Sequence, residues 1–185
     1  MILKGGAVGG GGLAAHLRSE ENDSVEIVQA EGLLSRDIAG AVAELRARGV
    51  GITAKPVFHT AISAAPGQKW GEAEQRQAVA AFVKEFGLEG VPLLVVRHQK
   101  DAQGVGRDDH LHVVASRIDE RGRVISDAFT RVRHEKVARC LEHTLGHPLT
   151  IGKHNRAVMA ALRREGRADV ADWMAAAGAH TAPRP

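Results

Sequence analysis

Apolar positions recur along this chain with two periods, about two residues in some stretches and about 3.6 in others, and the switches between them outline its elements. Val25 to Leu33 (VEIVQAEGL) is rich in β-branched residues and ends at Gly32, as a strand would. The run SRDIAGAVAELRARG puts Ile38, Val42 and Leu45 on one face, with Ser35 as N-cap and Gly49 as C-cap of an amphipathic helix. Lys55 to Ser63 (KPVFHTAIS) alternates as a strand, and EAEQRQAVAAFVKEFG repeats apolar residues at helical spacing until Gly87. VPLLVVRH reads as a buried strand that carries His98 at its end. A polar, Gly-containing loop separates it from a strand over Asp109 to Arg117. DERGR (Asp119 to Arg123) makes a turn into VISDAF, and from His134 onward the pattern is helical with a break at GHPLTIGK. There is no internal repeat.

This order predicts an α+β fold: a largely antiparallel central sheet covered by helices, with a helical C-terminal part. A single domain is expected over residues 1–178, followed by a disordered tail over 179–185. The 185 residues and 44% hydrophobic content suit one soluble domain with a sizeable core. One cysteine, Cys140, excludes an internal disulfide and fits a reducing compartment. No apolar run is long enough to span a bilayer, and the Gly-rich start has no hydrophobic signal core, so a cytoplasmic location without membrane insertion is expected. A formal charge of +3 permits a polyanionic partner, and RVRHEKVAR and GKHNRAVMAALRREGR concentrate basic residues on the C-terminal helices, where they would grip a nucleic-acid backbone. With 3% aromatic residues there is little for stacking bases.

The candidate chemistry lies in VVRHQKDAQGVGRDDHLHVVASRID. Alternation puts His110, His112 and Val114 on one strand face and Leu111, Val113 and Ala115 on the other. If the strand ending at His98 pairs antiparallel with this one, three imidazoles converge at one end of the sheet. Three nitrogen donors make a metal site with open positions, suited to a catalytic ion rather than a closed structural one. The open positions take phosphate oxygens, and a divalent ion there polarises a phosphodiester.

These stretches, taken with GGGLAAHLRSEENDSVEIVQAEGL and KPVFHTAIS in the same order, resemble the relaxase/mobilisation nuclease family, the HUH-type conjugative relaxases that nick plasmid DNA at an origin of transfer. The resemblance runs from about Lys4 to about Leu141. It implies a transesterification in which a residue near the N-terminus attacks one phosphate of single-stranded DNA and keeps the 5′ end. Most members use tyrosine, and this chain has none. His16, in LAAHLRS, stands at the corresponding place, which makes the resemblance one to histidine-nucleophile relaxases forming a phosphoramidate. A neutral imidazole is a competent nucleophile. The resemblance further implies His98, His110 and His112 as metal ligands, manganese or magnesium as the ion in use, and nickel, cobalt or zinc as substitutes favoured by nitrogen donors. It also implies accessory relaxosome proteins and a type IV coupling protein as partners. A chain of this length has room for the nuclease part only, whether whole or an N-terminal fragment.

Other residues receive supporting roles. Lys55 and His59 would face one way along their strand and contact or orient the scissile phosphate. Arg18, Arg97 and Arg117 flank the motifs as phosphate contacts. Asp101, or alternatively Asp109, would accept a hydrogen bond from a ligand imidazole and fix its tautomer. The loop between His98 and His110 is long, but lengthening a loop costs only a fraction of a kcal/mol per doubling. Two rival readings use the same residues: a non-catalytic DNA-binding module, predicting binding without cleavage, and a histidine-ligated metal hydrolase, predicting hydrolysis without a covalent adduct.

Overall fold

The structure is a computed structural model that describes residues 1–19, 24–102 and 106–179, apart from the side chains of 100–102 and 106–108. Its elements run β1 (Ile2–Val8), α1 (Leu13–Leu17), β2 (Ser24–Glu31), α2 (Ile38–Ala47), β3 (Val57–Ser63), α3 (Glu72–Phe86), β4 (Leu93–Ala102), β5 (Gly106–Ser116), α4 (Thr130–Leu145), α5 (Asn155–Arg164) and α6 (Ala168–Ala176). The strands form one five-stranded sheet in the order β1-β3-β5-β4-β2. The pairings β2–β4, β4–β5 and β3–β5 are antiparallel. The fold is therefore α+β with a largely antiparallel sheet, as the pattern predicts.

The chain divides into two compact units. One comprises Lys4–Ser63 and Phe86–Asp127, and holds the sheet with α1 and α2. Its core places Leu13 and Leu17 of α1 and Ile38, Ala41, Val42 and Leu45 of α2 against Val57, Leu94, Val96 and Val114 of the sheet. The other sheet face is also apolar, with Phe58, Ile62, Val95, Leu111 and Val113 all buried. Strands buried on both faces read as near-continuous apolar runs, which is why VPLLVV lacks alternation.

Three local features differ from expectation. β1 had no sequence signal, because its centre is Lys4-Gly5-Gly6. Gly5 is required there: with φ +149°, a Cβ on it would stand 2.0 Å from the carbonyl oxygen of His59 on the neighbouring β3. The N-cap of α2 is Asp37, whose carboxylate accepts the Gly40 N–H at 3.0 Å, not Ser35. Ser35 is held one step earlier, its own N–H donating to Glu44 at 2.6 Å. Finally, most of the stretch expected as a loop after His98 is ladder, with pairs from Gln99↔Asp109 to Ala102↔Gly106. Backbone pairing needs no apolar side chains, so polar residues extend this hairpin without leaving a hydrophobic trace.

The second unit comprises Met1–Leu3, Ala64–Glu85 and the chain from Ala128 onward. Val158, Met159 and Leu162 of α5 pack with Val170, Ala171 and Met174 of α6. Gly146, at φ 66°, ends α4 in the left-handed conformation that suits glycine. The expected tail beyond Ala179 lies outside the described residues. Part of the basic charge of these helices is paired internally. Lys136 pairs with Glu85 at 2.9 Å and Glu165 at 2.6 Å, Arg163 pairs with Asp172 at 2.9 Å, and Arg139 is buried against Glu142.

His134 of α4 is 4% exposed, its ring 6.0 Å from that of Phe82. Burial, reinforced by Arg133, pushes its pKa from 6.5 down to about 4. Between these values the unfolded chain binds a proton that folded His134 refuses, so stability falls as pH falls through this window. The slope from this residue approaches about 1.4 kcal/mol per pH unit. Urea unfolding across the window should show the loss, and His134→Gln should reduce it; an equal loss in both proteins would dismiss the assignment.

Candidate active site

Register and alternation decide which side chains meet. Val57, His59 and Ala61 of β3, Leu94, Val96 and His98 of β4, and His110, His112 and Val114 of β5 share one face of the sheet. His98 lies directly opposite His110, and His112 lies between Val96 and Ala61. Along the strands this face changes from the apolar patch under α1 and α2 to a patch of imidazoles. The ring centroids of His98 and His112 are 4.4 Å apart, those of His110 and His112 5.0 Å, and those of His98 and His110 5.1 Å.

Helix α1 brings the fourth ring. It starts after Gly12, at φ 74°, and buries Leu13 and Leu17 one turn apart in the core. His16 is exposed, with its ring centroid 5.3 Å from His112 and 5.6 Å from His59. The fifth ring is His59, whose Nε2 is 2.8 Å from Nδ1 of His112. Ring nitrogens of His98, His110 and His112 gather within 4.8 Å of one another, and so do those of His16, His59 and His112. The expected histidine triad is thus brought together, and His16 stands beside it. The place of His59 beside His112 is a contact that the sequence does not display; the β3–β5 register carries it.

Three of the rings are held toward the neutral form. Burial, then the neighbouring rings beginning with His98, pushes His112 down to about 2. Burial, then His16 and His98, pushes His59 down to about 4, and burial also lowers His98. Neutral imidazoles are the form that binds metal ions. His98 Nε2 lies 2.8 Å from the backbone oxygen of Leu17. A carbonyl only accepts, so Nε2 carries the hydrogen and Nδ1 keeps a lone pair. Nε2 of His112 is buried and makes no hydrogen bond. A buried orphan nitrogen beside two further imidazoles is what a nitrogen-ligated divalent ion would satisfy, so His98, His110 and His112 fit such an ion.

The remaining candidates are dispersed. Arg18 caps the C-terminus of α1 and is exposed, its Nε donating to Ala14 O at 3.1 Å. Lys55 is exposed and precedes β3, at the end of the sheet away from His110. Arg97 is on the sheet face opposite His98 and pairs with Glu26 on β2. Arg117 corrects its expectation as a phosphate contact. It is 5% exposed, donates to Ile125 O, Lys55 O and Asp127, and lies over the Phe58 ring at 5.2 Å, so it braces the segment after β5. Asp109 alternates away from the histidines. Asp101 pairs with Arg107 in the ladder, and its side chain lies outside the described residues.

An antiparallel sheet carrying three converging imidazoles beside an exposed short helix offers a donor set of the kind a metal-dependent nuclease uses. A family model described as "Relaxase: MobA/VirD2-like, nuclease domain" matches residues 16–147, a span that includes all five histidines. The chain belongs to the relaxase family, as a MobA/VirD2-like nuclease domain, and so to the enzymes that nick DNA at transfer origins. No curated protein and no solved structure matched the chain. Among the described residues no helix is long and apolar enough to cross a membrane.

Leu17 holds α1 to the core and supplies the carbonyl that orients His98. Leu17→Ala should cost about 2–5 kcal/mol in urea unfolding, whereas Leu17→Met should cost less than about 1.5 kcal/mol. Equal effects of the two would show that α1 is not anchored by this side chain.

Proposed function

We propose that this protein nicks and rejoins single-stranded DNA, site- and strand-specifically, at the origin of transfer of a plasmid or mobile element, with His16 as nucleophile. The observation that carries this reading is the exposed His16 ring, 5.3 Å from that of His112 in the three-imidazole set, in a chain with no tyrosine. His98, His110 and His112 would hold a divalent ion, manganese or magnesium in use, with softer transition metals as substitutes. When bound, the ion supplies Lewis-acid polarisation of the scissile phosphodiester.

The chain's own residues supply the rest. A lone pair on the His16 ring forms the N–P bond, and the bond from phosphorus to the 3′ oxygen breaks. The phosphorylated ring gives up its remaining N–H proton, and the 3′ oxygen takes one up. The 5′ end stays attached as a phosphoramidate, and the reverse step reseals the strand. Arg18, two residues from His16 and exposed, would hold a flanking phosphate, and Lys55 one further along the strand. Asp101 would assist as an acceptor near the site. Accessory relaxosome proteins and a type IV coupling protein would be its partners, in the cytoplasm, and residues 1–178 would act as one nuclease domain.

Wild type and His16→Ala, incubated with manganese and oligonucleotides from the DNA around the gene, should differ on a denaturing gel. The wild type should give a shifted, acid-labile protein–DNA band and the variant none, while His16→Ala keeps its stability within about 0.5 kcal/mol, as expected at an exposed site. DNA retained in a native gel but never cut would favour the binding module. Cleavage without an adduct would favour the hydrolase.

A further inference from the structure

We propose that His59 is a positioning residue: its Nε2 accepts the Nδ1–H of His112, which fixes His112 in the tautomer that turns its Nε2 lone pair toward the metal site. The inference rests on the reading that His98, His110 and His112 hold a divalent ion. It concerns a residue outside that ligand set.

A neutral imidazole has one N–H and one lone pair, so the 2.8 Å contact between His59 Nε2 and His112 Nδ1 contains one hydrogen, donated one way or the other. The ring planes are 18° apart and the centroids 5.1 Å apart. That separation matches the nitrogen–nitrogen contact plus the two ring radii, so the nitrogens point at each other edge to edge rather than face to face. If His59 donated, His112 would carry its hydrogen on Nε2, which is buried and without a hydrogen-bond partner. A buried donor aimed at other imidazoles has no remedy, whereas a buried lone pair in the same place is satisfied by a cation. The favoured direction is therefore His112 to His59.

Metal-binding imidazoles commonly donate their second N–H to a carboxylate or carbonyl, which fixes tautomer and ring orientation. His98 does this to the backbone oxygen of Leu17. His112 does it to a neutral imidazole. The same hydrogen bond argues against a second ion among His16, His59 and His112, whose ring nitrogens also lie within 4.8 Å, because the two nitrogens sharing a hydrogen do not both offer lone pairs.

His59→Gln keeps an acceptor near the place of Nε2, and His59→Leu fills similar space without one. With metal-stripped proteins, nickel and manganese affinities by calorimetry should fall about 10–100-fold in the Leu variant and stay near wild type in the Gln variant. Imidazole nitrogen NMR of the metal-free wild type should show the hydrogen of His112 on Nδ1. Equal losses in both variants, an unchanged Leu variant, or a hydrogen on Nε2 of His112 would each overturn the proposal. So would an ion retained after His98→Gln with His110→Gln but lost on adding His59→Leu, since His59 would then be a ligand. If the wild type binds no ion, the metal reading falls by itself, and the NMR tautomer still decides the direction of the hydrogen bond.

Discussion

The β4–β5 register is the constraint on which the site depends. With His98 opposite His110 and Leu94 opposite Val114, one face of the hairpin carries apolar residues at one end and imidazoles at the other. Side-chain direction alternates with every residue, so a slip by one position would turn His110 and His112 away and bring Leu111 and Val113 in their place. The register is pinned by burial on both faces, since Val95, Val113 and Ala115 are as hidden as Leu94, Val96 and Val114. The same dry packing that stabilises the sheet removes water from the rings beside it. That desolvation is the leading cause of the low pKa values of His112 and His59. Core and site are two ends of one surface.

The proposed nucleophile depends on that surface as well. An isolated helix of five residues has no stability of its own, and α1 exists because Leu13 and Leu17 are anchored in the α2–sheet core. Their spacing leaves His16 on the turn that looks toward the histidines. Arg117 secures the opposite end of β5 by spending its guanidinium on backbone oxygens and Asp127.

Much of this was legible in the residues. H-x-H in a strand, a histidine ending the preceding strand and a hairpin between them need only alternation to converge, and they do. The limit of α3 at Gly87, φ 63°, followed from the backbone freedom of glycine, whereas α2 is capped by Arg48 and Gly49 beyond it answers to the close approach of Pro56. What stayed hidden depends on neighbours distant in the chain. β1 carries no pattern because Gly5 answers to the carbonyl of His59. The cap of α2 passed from Ser35 to Asp37 because Glu44 holds the Ser35 N–H. Arg117 looked like a phosphate ligand because sequence shows its charge and not its burial, and the contact of His59 with His112 went unread because the two are 53 residues apart.

The bond between His98 and Leu17 joins the two halves of the proposed chemistry through the main chain. Any side chain at position 17 offers the same carbonyl, and the residue at position 16 takes no part in it. On the proposed chemistry the attacking group is therefore an interchangeable part on a fixed mount: a phenol or an imidazole at position 16 would leave the carbonyl that orients His98 unaltered.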